Sequence, residues 1–98
     1  MTTIVPRAER VPLRLPIAYR VPGDDAWFES RILNISESGV LFGPAELQAG
    51  MPVEMIFSTP IQVGSIASGK LVCVGEIVRT TEVGAAGAKF EECRFLLD

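Results

Sequence analysis

The sequence lacks histidine, carries only two cysteines, and has no uninterrupted apolar run of the length that a membrane helix requires. Without histidine, the Ser-His and Cys-His nucleophile pairs and most zinc sites are excluded. A membrane helix needs roughly 20 consecutive apolar residues, so we expect no membrane insertion. The N-terminus has neither the basic start nor the apolar block of a signal peptide, and a cytoplasmic location is therefore expected.

Basic residues are outnumbered by acidic ones, at 9 Lys and Arg against 12 Asp and Glu, which gives a net charge of −3. A broad nucleic-acid surface needs a basic stripe that neutralises phosphates, so a nucleic-acid polymer is not expected as a partner. The larger aromatic residues are spread over several strand patterns, and we expect them to pack in a core rather than to stack on bases: Trp27, Phe28, Phe42, Phe57 and Phe90.

Neither a catalytic centre nor a cofactor or metal site is predicted. The adjacent carboxylates Asp24-Asp25 and Glu91-Glu92 are most simply solvated, and no nucleophile has a base at a suitable spacing. Cys73 and Cys93 are isolated, whereas small secreted domains usually contain more cysteines, so both are expected to be reduced and packed. We therefore do not expect an enzyme.

What is present is a series of short strand patterns separated by Gly, Pro, Asn and Asp. The 98 residues suffice for one domain. Alternating apolar residues predict strands, Gly75 predicts a bulge or a sharp barrel corner, and residues 45–48 have room for one short helical turn. Pro16 predicts an edge position or a bulge. The predicted fold is all-β, a six-stranded antiparallel barrel over residues 13–98 preceded by a flexible arm over residues 1–12. The strands are expected at 13–21, 27–33, 39–42, 52–58, 70–81 and 88–90.

Two short motifs carry chemistry of their own. Arg10 and Arg14 have RxxxR spacing on a segment that Pro12 keeps extended, and Arg7 lies just before them. Guanidinium groups make forked contacts with phosphate and with the edge of guanine, so an arm bearing them could clamp a guanine nucleotide. The simpler interpretation is a solvated basic patch near a chain end.

The second motif is the polar turn Asn34-Ile35-Ser36-Glu37-Ser38-Gly39 between two apolar strand patterns. Asn and Ser side chains bond nearby backbone groups, and glycine adopts a positive φ without steric cost. On its own, the turn predicts good strand termination and nothing more.

Together and in this order, RxxxR at Arg10–Arg14 and NxSxxG at Asn34–Gly39 resemble the paired motifs of the PilZ domain family. The resemblance extends over nearly the whole chain and includes Gly75–Arg79 and Gly87–Phe90. It implies a six-stranded barrel that binds the bacterial second messenger cyclic di-GMP. The ligand contacts implied in this sequence are Arg10, Arg14, Asn34, Ser36 and Gly39, with Arg7 as a further candidate.

The resemblance also implies a role in signalling. Binding would order the N-terminal arm over the barrel and thereby alter contact with an unidentified protein partner, in motility or biofilm regulation. The chain would act as a monomer or a weak homodimer. A second hypothesis is a PilZ-like protein-interaction module with weak or lost nucleotide binding, because Glu9 and Glu37 place carboxylates beside a site for an anion.

Overall fold

The computed structural model describes residues 14–59 and 69–96, and all the regular secondary structure in them is β-strand. Residues 45–48, for which one helical turn was predicted, form no helix. Within the described ranges no helix has the length and apolar character needed to cross a bilayer. In chain order the strands are β1 (Pro16–Arg20), β2 (Phe28–Ile35), β3 (Gly39–Gly43), β4 (Pro52–Thr59), β5 (Gly69–Thr80) and β6 (Ala86–Phe95).

The six strands close into an antiparallel barrel in the order β1-β2-β3-β6-β5-β4. Closure depends on β1, which pairs with β2 on one side and with β4 on the other. Each strand therefore has two neighbours, and none leaves the open row of backbone groups that a sheet edge exposes. The predicted fold class is confirmed.

The barrel interior is filled by the inward-facing residues of each strand. On β4, Val53, Met55 and Phe57 alternate with more exposed residues and are themselves at most 2% exposed. This is the period-2 pattern of a half-buried strand, and the same pattern brings residues from the other strands into one cluster. Its largest fully buried members are Phe42, Ile17, Ile32, Ile35, Met55 and Ile77.

Gly75 and Pro16 were each predicted to mark an irregularity in a strand. The register of β5 on β6 shifts between Val74 and Gly75, so a bulge lies beside Gly75 as predicted, with Glu91 of β6 as the extra residue. A Cβ at Gly75 would lie 2.1 Å from the carbonyl oxygen of Lys89, so only glycine fits there. Pro16 is the first residue of β1 and pairs with Arg31 of β2 but with no residue of β4, so it has the predicted edge position locally although β1 as a whole has neighbours on both sides.

The last strand is much longer than its sequence pattern predicted. Residues 88–90 were expected to form a short strand, whereas β6 runs from Ala86 to Phe95. Its C-terminal half carries the charged and exposed residues Glu91, Glu92 and Arg94, which conceal the alternation. Pairing with β5, as in Val74↔Glu92, holds this half in the sheet in spite of its polarity.

Two of the five aromatic residues depart from the expectation of core packing, because Trp27 is half-buried outside the core cluster and Phe28 is exposed. Phe42 and Phe57 are buried as predicted, but the Phe28 side chain is 54% exposed at the start of β2. It lies beside Tyr19, with the ring centroids 5.7 Å apart. The prediction that Trp27 and Phe28 belong to the core is therefore wrong.

Cys73 and Cys93 form a disulfide, and the prediction that both are reduced is wrong. The two residues are directly opposite each other on β5 and β6, with their Cα atoms 4.1 Å apart. Both lie in or against the core, so their side chains share one face of the paired strands. The sequence conceals this because the cysteines are 20 residues apart and their opposition depends on the register of the two strands.

Reduction of this disulfide should lower the free energy of unfolding by about 3 kcal/mol, because the bond closes a loop of roughly 20 residues in the unfolded chain. Urea unfolding of the oxidised and the reduced protein measures the difference. A Cys73→Ser, Cys93→Ser double variant in the same titration, with and without reductant, controls for effects of the reductant itself. Equal midpoints for the oxidised and reduced protein would contradict the expectation.

Candidate functional site

The turn from β2 to β3 lies at the same end of the barrel as the start of β1. Ile32 on β2 donates its backbone N–H to the carbonyl oxygen of Leu15 at 2.7 Å, one residue before β1 begins. The backbone of Arg14 therefore lies where β2 approaches Asn34, and the residue is exposed. One arginine of the RxxxR motif is thus at the end of the barrel that carries the polar turn. Arg7 and Arg10 lie outside the described residues.

A bulge in β2 determines how far Asn34 is buried. Ile32 pairs with Phe42 and Asn34 pairs with Leu41, so Leu33 is an extra residue that has no pairing partner on β3. The extra residue allows Ile32 and Ile35, three positions apart, both to be fully buried. Asn34 is left half-buried, two residues before Ser36 of the polar turn.

Ser36 organises the interior of the turn. Its backbone N–H donates to the carbonyl oxygen of Gly39 at 2.9 Å, and its Oγ accepts the backbone N–H of Ser38 at 3.3 Å. The two hydroxyl oxygens, on Ser36 and Ser38, are 3.1 Å apart. Ser36 is only 2% exposed, so its hydroxyl is committed to shaping the turn, whereas Ser38 is exposed. A direct hydrogen bond from Ser36 to a ligand stays a prediction.

Gly39 is required by a close approach of backbone, not by a left-handed conformation. Its φ lies outside the positive range, in contrast to Gly23, Gly50, Gly69 and Gly84. A Cβ at Gly39 would lie 2.3 Å from the carbonyl oxygen of Ala88 on β6. Gly39 thus lets β3 and β6 come together directly after the turn.

The strand β6 holds the turn from the other side. Phe90 donates its backbone N–H to the carbonyl oxygen of Ser38 at 2.9 Å, and Lys89 pairs with Gly39 across the β3–β6 ladder. Sequence reasoning did not assign a site role to Ser38 or Lys89, both of which are exposed beside the turn. The signal available was the segment Gly87–Phe90, which contributed to the family resemblance without a role of its own.

The charges at this end of the barrel are mixed. Arg14 and Lys89 are exposed and basic, and Glu37 is exposed in the middle of the turn. Glu9 lies outside the described residues. Arg20 does not contribute here, because its guanidinium lies at the other end of β1, bonded to Glu54 at 3.0 Å and 4.4 Å above the Trp27 ring.

The comparison with known proteins agrees with this geometry. The family model of the PilZ domain matches residues 6–98, which is nearly the whole chain. The chain is a member of the PilZ domain family. The family resemblance noted in the two motifs is thereby confirmed, and PilZ domains are a family of cyclic di-GMP binding domains rather than of enzymes.

A solved PilZ structure has the same fold. The crystal structure of the PilZ domain of CeSA, from a cellulose-synthesizing bacterium, matches with a TM-score of 0.64 at 16% sequence identity. The match covers 87% of this chain and 82% of that chain. At this identity the likeness concerns the fold alone. No curated protein sequence matches this chain.

A Gly39→Ala variant of this PilZ domain should lose about 3 kcal/mol of stability, because the added Cβ meets a backbone carbonyl oxygen that cannot move independently of β6. Gly87→Ala is the matched control, since its Cβ would meet only the side chain of exposed Arg79, at 3.1 Å. We expect Gly87→Ala to cost less than about 1 kcal/mol. Equal losses in urea unfolding would show that the β3–β6 approach is not the constraint at Gly39.

Proposed function

We propose that this PilZ domain is a bacterial cyclic di-GMP receptor or adaptor that acts in the cytoplasm, in motility or biofilm regulation. The observation that supports it best is the convergence of Arg14 and the Asn34–Gly39 turn at one end of the barrel, in a chain of this family. It is a binding function, and we assign no catalytic residue and no cofactor.

The proposed contacts divide between the arm and the barrel. Arg10 and Arg14, with Arg7 as a further contributor, provide guanidinium forks for the phosphates and for guanine edges. Asn34 provides an amide at the barrel surface, and the turn built by Ser36 and Gly39 supplies the shape against which the ligand rests. Lys89, exposed opposite Gly39, adds a positive charge next to the turn.

The free energies of these contacts require both motifs. Micromolar affinity corresponds to about 8 kcal/mol. Each hydrogen bond to a charged group contributes about 1.5–3 kcal/mol, and each arm residue that becomes fixed costs about 1–2 kcal/mol. Two arginines alone therefore fall short, and contacts from the turn must supply the remainder.

The signal, in this proposal, is the ordering of residues 1–12. An arm fixed by Arg10 and Arg14 over the turn changes the surface that a protein partner meets, so ligand binding alters the partner interaction. Ordering of the arm is transmitted to the barrel at the start of β1. There the Leu15 carbonyl oxygen accepts a hydrogen bond from the backbone N–H of Ile32, two residues before Asn34. The protein is proposed to work as a monomer or a weak homodimer.

Isothermal titration with cyclic di-GMP tests the receptor proposal. Arg14→Ala and Arg10→Ala should each weaken binding by about 3 kcal/mol, or roughly a hundredfold in Kd. Arg14 is exposed and has no ion pair within residues 14–59 and 69–96, so its loss should leave the Tm unchanged. Arg79→Ala, an exposed arginine at the far end of β5, is the matched control and should bind normally.

Absence of binding by a folded wild-type protein would favour the second candidate function, a PilZ-like protein-interaction module with weak or lost nucleotide binding. The observation behind that alternative is the exposed carboxylate of Glu37 in the centre of the turn. A negative charge there opposes an anionic ligand, although water screens part of the repulsion.

Glu37→Gln keeps the shape of the side chain and removes its charge, so it should tighten cyclic di-GMP binding by about 1 kcal/mol, or roughly fivefold. The gain should shrink at high salt, because the repulsion is screened. Glu82→Gln, which removes an exposed carboxylate from the turn between β5 and β6, should leave Kd unchanged. A weaker Glu37→Gln complex would mean that this carboxylate supports the turn rather than opposes the ligand.

A further inference from the structure

The end of the barrel opposite the Asn34–Gly39 turn contains a cavity of about 570 Å³. It lies between the β1–β2 hairpin and residues 44–51, the segment that crosses the barrel end from β3 to β4. Its volume is in the range of roughly 300–1,000 Å³ that is usual for binding pockets. The cavity does not belong to the motif site, because the strands run the full length of the barrel between them.

The wall formed by residues 44–51 is fixed by backbone hydrogen bonds to one side of the barrel. Ala45 donates its N–H to the carbonyl oxygen of Gly84 at 2.8 Å, and Gly50 donates to Ile77 at 2.7 Å. Ile77 in turn donates its N–H to the carbonyl oxygen of Met51 at 2.9 Å. All of these partners lie on β5 or in the turn that follows it. Ser30 of β2 also donates its hydroxyl to the carbonyl oxygen of Pro44 at 2.9 Å, so the segment is bonded on both sides and frames the opening between itself and the β1–β2 hairpin.

The lining is mainly apolar, and one of its aromatic residues is exposed at the rim. Tyr19 and Leu47 are buried at the base and Met51 is half-buried, whereas Phe28 is 54% exposed. Burying the exposed part of an aromatic ring is favourable, and such a residue beside a cavity is typical of a contact surface. A role in a contact surface accounts for the exposure of Phe28, whereas a role in core packing does not.

The charge on the lining is entirely acidic. Asp24 and Glu46 line the cavity, and no Lys or Arg does. Neither carboxylate has a salt bridge within the described residues. Burial raises the pKa of the Tyr19 phenol; a backbone hydrogen bond at Glu46 lowers it in part, and the negative charge of Glu46 raises it. The Glu46 carboxylate is therefore close enough to the Tyr19 phenol, at the bottom of the cavity, to disfavour its ionisation.

We propose that this cavity is a docking site for a basic and apolar peptide segment of a protein partner. A large apolar side chain of the segment enters the cavity and packs against the rings of Tyr19 and Phe28, and flanking lysine or arginine side chains meet Asp24 and Glu46. The acidic lining selects the basic neighbours, and the exposed ring of Phe28 packs on the anchor. The inference deepens the proposed function, on whose protein partner it rests, by giving that partner a surface and a chemistry.

The test is a titration of ¹⁵N-labelled protein, without cyclic di-GMP, with a blocked Lys-Trp-Lys peptide. We expect weak binding, at about millimolar Kd, with amide shifts confined to residues 19–28 and 44–51. Blocked Glu-Trp-Glu should bind roughly tenfold more weakly, because two surface ion pairs become repulsive, and Lys-Ser-Lys should not bind. Equal binding of Glu-Trp-Glu, or shifts elsewhere in the barrel, would overturn the proposal.

Matched variants separate charge from fold. Asp24→Asn with Glu46→Gln should weaken Lys-Trp-Lys binding roughly tenfold, whereas Asp25→Asn, the exposed neighbour in the same turn that does not line the cavity, should not. Phe28→Ser should abolish binding with an unchanged amide spectrum outside the cavity. If Asp25→Asn weakened binding equally, the peptide would be selected by the net charge of the protein rather than by this cavity. That result would overturn the proposed site.

Two other outcomes assign the cavity differently. Shifts at residues 19–28 and 44–51 that depend on protein concentration alone would assign it to a second copy of this chain. Phenethylamine binding as tightly as Lys-Trp-Lys would assign it to a small cationic ligand. Either result overturns a peptide segment as the occupant. A protein that binds cyclic di-GMP but no peptide contradicts this inference alone, and one that binds the peptide but no nucleotide contradicts the receptor proposal alone.

Discussion

The contact between β3 and β6 directly after the polar turn is the constraint on which the site depends. Gly39 has no Cβ, so the backbone of Ala88 approaches to a distance that any other residue would prevent. That approach allows Phe90 to donate its N–H to the Ser38 carbonyl oxygen, which fixes the turn to β6. The motif glycine therefore serves the barrel and the turn at once, and a mutation there damages both.

Sequence reasoning predicted the features that follow from local pattern. The alternation in β4, the bulge at Gly75 and the barrel itself are all confirmed, because short amphipathic strands with glycine turns have few other ways to bury their apolar faces. The role of the motif residues as ligand contacts stays a prediction, and the conformational reason given for Gly39 was wrong. Family resemblance, rather than pattern, supplied the ligand.

The features that were missed depend on how distant strands meet. The disulfide between Cys73 and Cys93 needs the register of β5 on β6, and that register is not encoded in either strand alone. The charged half of β6 has no apolar alternation, so only its pairing reveals it as a strand. Phe28 looks like a core residue in its sequence, but it is the first residue of β2, at one end of the barrel, and its side chain is 54% exposed.

The two ends of the barrel differ in the charges that they carry. One end carries the turn with basic Arg14 and Lys89 and acidic Glu37, and is proposed to bind an anion; the other is lined by Asp24 and Glu46 and is proposed to bind a basic segment. The central claim is that the turn end binds the nucleotide, and amide shift mapping with cyclic di-GMP tests it most directly. The account predicts shifts at Arg14, residues 34–39 and residues 88–90. Shifts confined to residues 44–51, or none at all, would contradict it.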